Sequence, residues 1–279
     1  MDSVARRLAD QFAVRPGGSY PVENMQAAGG SVAVNALLGK DPGTALLVAH
    51  SGLFCTYPLL SAERLTFSPT DDLVPIGIPV GTPMFVVTSK TSGITNLAQL
   101  RQWRGRDLHY AAGLVGASGH VGGQMLLDAL DVEPVPVFYS MNRQALLDVS
   151  ERRVPIGVFG WQTIASMVES NRMSVLCVLS EKRVPFAPGI PTAKEQGFNV
   201  SIEGWVGVFS RRGTTEPVIQ AFAQAIDELM TGPTLVQFLN AGGLSKRHIR
   251  RPEAAAFIKT EIDRYAAIIR RYNIGRTSG

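Results

Sequence analysis

Apolar residues recur along this chain with two spacings. Short runs rich in Val, Ile and aromatic residues, bounded by Gly, Pro or charged positions, predict strands at Tyr20–Glu23, Ala45–Ala49, Met84–Thr88, Leu108–Ala112, Val135–Phe138, Ile156–Phe159, Val175–Leu179 and Trp205–Phe209. Between them apolar positions step by three and four, the spacing of one helix face. Val218, Phe222, Ile226 and Leu229 form one such stripe, and Ile258, Ile262, Tyr265, Ile269 and Tyr272 form another in a helix that opens after Pro252. Asp2 is the expected N-cap of a helix over Ser3–Phe12, and Thr95 that of a helix beginning at Asn96. Strands alternating with helices predict an α/β architecture. No internal repeat interrupts the alternation.

One junction stands out. Residues 110–130 read YAAGLVGASGHVGGQMLLDAL, with small side chains crowded between a strand and a helix. Three readings compete: a close packing joint, a strained elbow carrying a nucleophile, or a cradle of backbone N–H groups for an anion. The elbow needs Gly-x-Ser-x-Gly, and here Gly116, Ala117, Ser118 and Gly119 are followed by His120 where the last Gly belongs. His50 and Ser51 are adjacent, but neighbours in an extended stretch point to opposite faces. A serine hydrolase using Ser118 or Ser51 is therefore the remote alternative. Gly116, Gly119, Gly122 and Gly123 do not form a dinucleotide fingerprint, and no Gly-Lys-Ser/Thr is present. The cradle and the packing joint stay open on these residues alone. First-turn N–H groups, with Ser118 as cap, favour a carboxylate or phosphate, and small residues equally suit a tight strand–helix contact.

Composition narrows the classes. The chain has 279 residues, 45% of them hydrophobic and 18% charged, which suits a folded protein of one large or two moderate domains. A net charge of +4, with cations scattered in short clusters (Lys246–Arg251, Arg270–Arg271), argues against nucleic acid as a partner. Cys55 and Cys177 have no Cys or His at ligand spacing, so no metal is expected and buried thiols are the default. No cofactor motif is present. MDSVARRLADQF is too charged for a signal peptide, which points to the cytoplasm if Met1 is the true start.

Several segments taken together resemble one family. VENMQAAGGSVAVNAL (22–37) is similar to a V-E-N-R-x-G-A-G-G-x-x-A signature of the substrate-binding proteins of tripartite tricarboxylate transporters, the Bug family. FSPTDDLVPIGIPVGTPMFVVTSK (67–90) and LSEKRVPFAPGIPTAKEQGF (179–198) resemble two further runs of that family in the same order. The resemblance implies two α/β lobes joined by two crossover strands, a type II periplasmic-binding-protein fold, with a ligand cleft between the lobes. It implies lobe one as residues 1–90 with 206–279 and lobe two as 91–205. It also implies a periplasmic receptor, not an enzyme, that closes on a small carboxylate or amino acid and delivers it to membrane transporter subunits. The chain is expected to act as a monomer.

In the family a Tyr-Ala-Ser-x-Gly-x-Gly-Thr/Ser loop pinches the ligand carboxylate, and it falls on residues 110–118, so the resemblance favours the cradle. Tyr110, Ala111, Gly116, Ser118 and His120 match, whereas Ala112, Leu114 and Ala117 stand where Ser, Gly and Thr/Ser are usual. Two hydroxyls are thereby lost and a bulky side chain gained, which implies a more apolar cleft. The family's first strand and most of its first ligand loop have no counterpart, and Asp2 aligns with that loop's last residue. The expected ligand contacts are Asp2, Ser51, Tyr110, Ala112, Gly113, Gly116, Ala117, Ser118 and Trp161, with Trp161 equally suited to core filling and His120 expected to be a packed residue. Trp205 suits hinge packing or ligand contact. A divergent member acting as a sensor or interaction partner is the first alternative.

Overall fold

A computed structural model describes residues 1–13, 18–25 and 28–275; Gln26 and Ala27 of the VENMQAAGG segment lie outside them. The chain forms two compact units. The first comprises Met1–Gly81, Trp205–Gly242 and Lys246–Ala267, and the second Thr82–Gly204, Gly243–Ser245 and the residues from Ile268 onward.

The first unit opens with helix α1 (Asp2–Ala13), whose Val4, Leu8 and Phe12 are buried at i, i+4 and i+8. The Met1 carbonyl accepts from the N–H groups of Val4 and Ala5, so Asp2 is inside the helix and not its cap. Its carboxylate takes hydrogen bonds from Arg6 Nε (2.9 Å) and Asn24 Nδ2. Tyr20–Glu23 is not a strand, having no ladder partner; the Tyr20 ring instead packs edge-on against Phe12 at 5.7 Å. Helix α2 (Ser31–Leu38) follows Gly29 and Gly30, both at positive φ (65° and 99°). A Cβ on Gly29 would lie 2.4 Å from the Tyr57 ring, so the paired glycines of this motif serve a turn. Strand β1 (Leu47–His50) then leads through Ser51 into the single-turn helices α3 (Gly52–Cys55) and α4 (Tyr57–Leu60).

Strand β2 (Leu73–Ser89) is far longer than its predicted core, and the boundary between the units falls within it. A turn in which Asp72 accepts from the Ser68 N–H (2.8 Å) and Asp71 from the Ser68 hydroxyl (2.7 Å) launches it. Met84–Ser89 pair antiparallel with second-unit strands, which is why residues 82–90 join that unit.

In the second unit a 3-10 helix over Leu97–Trp103 is capped by Asn96, not Thr95: Asn96 Oδ1 accepts from the Gln99 N–H, and Gln99 Oε1 reaches back to the Thr95 N–H. Then come β3 (Asp107–Ala112), α5 (Ser118–Ala129), β4 (Glu133–Phe138), α6 (Asn142–Ser150), β5 (Ile156–Gly160), α7 (Trp161–Glu169) and β6 (Met173–Val178). The strand order β4-β3-β5-β2 has β3 parallel to both β4 and β5, and β6 also pairs with β2. Pro134 and Pro136 sit at alternate positions of β4, so their missing N–H donors face one side, the free edge. The core gathers Phe85, Val87, Ala111, Leu146, Val149, Phe159 and Ile164.

Strand β7 (Glu203–Arg211) returns the chain to the first unit, where it pairs antiparallel with β1. Helix α8 (Glu216–Thr231) buries Phe222 against Phe12 (4.9 Å); α9 (Leu235–Gly242) and strand β8 (Ser245–Arg250) follow. The latter pairs with β2, so the basic cluster at 246–250 is a strand. Helix α10 (Arg251–Arg271) ends where Arg271 and Tyr272 both bond Asp128 of the second unit (2.9 and 3.0 Å), drawing the residues from Ile268 into that unit.

Candidate functional site

Helices α5, α6 and α7 start where β3, β4 and β5 end. Because those strands are parallel, the three helix N-termini lie along one edge of the sheet. Their N-cap positions are Ala117, Met141 and Gly160, and none supplies a side-chain cap. This edge therefore carries three helix N-termini and the positive ends of their dipoles. It is the edge of an open parallel sheet at which ligands bind.

The β3–α5 loop is built for closeness. Gly116 adopts φ 75°, and its N–H donates to His120 Nδ1 at 3.0 Å. The Ala117 N–H is taken by the Leu114 carbonyl and the Val121 N–H by Ala117. Ser118 opens the helix; the cap position belongs to Ala117, one residue earlier than expected. A Cβ on Gly119 would sit 2.4 Å from the Val158 carbonyl oxygen, and one on Gly123 would sit 2.2 Å from the Tyr110 ring. Within α5 the small residues are thus a packing joint. In the loop itself a Cβ on Gly113 would meet nothing within 4 Å, so that part faces open space. The packing joint accounts for the helical half of the segment, and the loop half stands open.

The remaining expected contacts divide. Tyr110 and Ala112 are fully buried; the Tyr110 hydroxyl donates toward the His120 carbonyl (2.9 Å) and Gln124 Oε1 (3.1 Å), and burial pushes its pKa up. Tyr110 braces α5 from beneath. Gly113, Ala117 and Ser118 are half-buried at the loop, and Gly116 is buried. The Trp161 ring packs against Phe85 (5.2 Å) and Phe186 (5.5 Å), and a Cβ on Gly243 would lie 2.4 Å from the Trp161 side chain, so the ring lies on the core while the residue stays half-buried. Asp2 and Ser51 belong to the first unit. Ser51 is buried, its N–H bound to the Trp205 carbonyl (2.8 Å) and its own carbonyl to the Phe54 and Cys55 N–H groups. Trp205 is fully buried between Phe54 and Phe257, each at 5.8 Å. Two exposed residues that the sequence reading missed, Phe138 at the end of β4 and Met141 before α6, border the loop; an apolar side chain at a helix N-cap was the available signal.

Both candidate histidines are tied to backbone. Burial pushes His120 down to about 4 and lowers His50, and His50 Nδ1 accepts from the Gly52 N–H at 3.0 Å. A neutral imidazole accepting at Nδ1 carries its proton on Nε2. Neither ring then has an acceptor nitrogen left to take a proton from Ser118 or Ser51, which is what a hydrolytic base requires. Cys55 and Cys177 are free, buried thiols whose pKa burial raises. The TAKE segment (192–195) is structural as well: Thr192 and Glu195 exchange reciprocal bonds (3.0 and 2.7 Å), and Arg183 holds Glu195 at 2.9 Å, all within a turn.

A family model described as tripartite tricarboxylate transporter family receptor matches residues 4–274. Among solved structures, R. palustris Rpa4515 with adipate is similar at 21% identity and TM-score 0.87, over 98% of this chain and 93% of that one. The periplasmic binding protein BugD gives 25% and 0.82 over 98% and 93%. MatC (Rpa3494) from Rhodopseudomonas palustris with bound malate gives 23% and 0.80 over 96% and 94%.

Proposed function

Because this chain belongs to the tripartite tricarboxylate transporter receptor family, we propose that it is a solute-binding receptor that captures a small carboxylate-bearing metabolite and presents it to membrane transporter subunits. The observation that carries the reading is the row of three helix N-termini, α5, α6 and α7, without side-chain caps at the C-terminal edge of β4-β3-β5. Backbone N–H groups there bind a carboxylate without a cation. Each dipole adds roughly 0.3–1 kcal/mol at an exposed end, and charge-assisted hydrogen bonds add more. The Gly113–Ser118 loop supplies the approach, and Tyr110 and His120 hold its shape from behind. Capture needs no covalent chemistry, in keeping with histidines whose acceptor nitrogens are committed to backbone.

Two structural neighbours are described with dicarboxylates, adipate and malate, and a third as a periplasmic binding protein. These support a carboxylate ligand and a periplasmic place of work for this chain. Thermal melts against mono-, di- and tricarboxylates and acidic amino acids test the reading, since a ligand that binds only the folded state raises its melting temperature. The expected result is a saturable rise for one carboxylate class. A melt unmoved by every acid overturns the receptor reading.

A further inference from the structure

The surface beside the carboxylate loop is apolar. Leu114 is 68% exposed, Met141 63%, Val115 46% and Phe138 45%; among the described residues these are four of the eight large apolar side chains left exposed. Ala112 pairs with Phe138 across parallel strands β3 and β4, so Leu114 and Val115 leave one strand beside the point where Phe138 and Met141 leave the other. The Phe138 ring stands edge-on to His120 at 4.9 Å. Folding gives no reason for this set. Met141 occupies an N-cap where Ser, Thr, Asp or Asn would stabilise α6, and it caps nothing. Clustered exposed apolar side chains mark a contact surface.

The charges around it are one-sided. Residues 112–120 and 138–143 contain a single fully charged side chain, Arg143. His120 is buried behind them, and the acids of these strands, Asp107 and Glu133, start β3 and β4 at the opposite edge. The nearest acid by hydrogen bond, Asp148, takes the Tyr139 hydroxyl at 3.0 Å and is paired with Arg153 at 2.8 Å. A surface with backbone donors at one end, apolar walls along its length and no acid within either segment is complementary to an anionic head on an apolar body.

We propose that Leu114, Val115, Phe138 and Met141 form the wall against which the ligand's body packs, and that the preferred ligand is a carboxylate with an aliphatic or aromatic body and no hydroxyls along it. This rests on the receptor reading above and names the substrate class within it. Position supports the ligand as occupant: the wall is continuous with the loop that takes the carboxylate.

Calorimetric titration with propionate, hexanoate, octanoate and benzoate, then with succinate, adipate, suberate and malate, tests it. Affinity is expected to climb within each series by up to about fourfold per buried methylene, with malate among the weakest. Leu114→Ser and Met141→Ala are each expected to lower octanoate affinity by roughly tenfold while changing propionate little. Both sites are exposed, so the melt without ligand checks that the variants fold. Affinity independent of chain length, or highest for malate, overturns the apolar wall and leaves the receptor standing. Binding of no carboxylate overturns both. A dimer in sedimentation velocity that Met141→Ala dissociates assigns the wall to a second copy and overturns the proposal.

Discussion

Two strand-to-helix turns in this molecule use the same local device and end differently. At the β1–α3 turn the Gly52 N–H donates to His50 Nδ1; at the β3–α5 turn the Gly116 N–H donates to His120 Nδ1, both at 3.0 Å. The first turn closes on itself. Its helix lasts four residues, Ser51 and Cys55 are buried, and Phe54 stacks on Phe209 at 4.5 Å. The second opens. Its helix runs twelve residues from a position with no side-chain cap, and its loop puts Leu114 and Val115 into solvent. A histidine tie and a small residue therefore do not make a site. Both helices begin without a side-chain cap, so what distinguishes the second turn is the length of its helix and a sheet edge shared with two more helix N-termini.

The largest test of that contrast is steric. Gly119→Ala places a methyl 2.4 Å from a β5 carbonyl, a backbone atom fixed by its sheet, and is expected to cost about 3 kcal/mol or more in urea unfolding. Gly52→Ala meets side-chain atoms alone, the His50 ring at 2.7 Å and Thr56 Oγ1 at 3.4 Å, and a cost near 1 kcal/mol is expected. Equal losses would break the comparison.

Acid comes next. His120 is held at about 4 against an ordinary 6.5, so between these values the unfolded chain binds the extra proton. Stability is full above pH 6.5 and falls as pH drops toward 4, by roughly 3 kcal/mol at most. Asp148 and Glu195 are lowered instead, by Arg153 and by the Thr192 N–H respectively, so what they contribute is lost only as pH falls through and below the ordinary carboxylate range. His120→Asn keeps an acceptor near Gly116 and should flatten the loss between pH 6.5 and 4; an unchanged slope contradicts the neutral, buried histidine.

Smaller effects sharpen the picture. Tyr110→Phe removes a buried hydroxyl that braces α5 and is expected to cost about 1 kcal/mol in the same unfolding experiment. Met141→Ser should raise stability by about 0.5–1 kcal/mol, because a serine at that N-cap accepts a first-turn N–H.

The alternating architecture was legible in the sequence because apolar runs with Gly or Pro at their ends mark strands whatever their neighbours. β8 escaped because SKRHIR carries three cations in six residues and is only half-buried, so no apolar period announces it. β2 was read at a third of its length, since Pro75, Pro79 and Pro83 punctuate its apolar run. Tyr20–Glu23 has strand-forming residues without a partner to pair with, which no local pattern reveals. Of the candidate site, the loop at 113–118 was legible from small residues before a helix. Trp161 read equally as contact or core, because its packing against Phe85 and Phe186 is a long-range fact that no local pattern reveals. Phe138 and Met141 join the loop through parallel pairing of β3 and β4, a long-range fact.

The most direct measurement is an amide NMR titration of the whole chain with adipate and with octanoate. The account predicts saturable shifts centred on the N–H groups of Gly113–His120 and the first turns of α6 and α7, with the amides of Ser51–Cys55 moving far less. Shifts confined to the β1–α3 turn, or none at saturating acid, would contradict it.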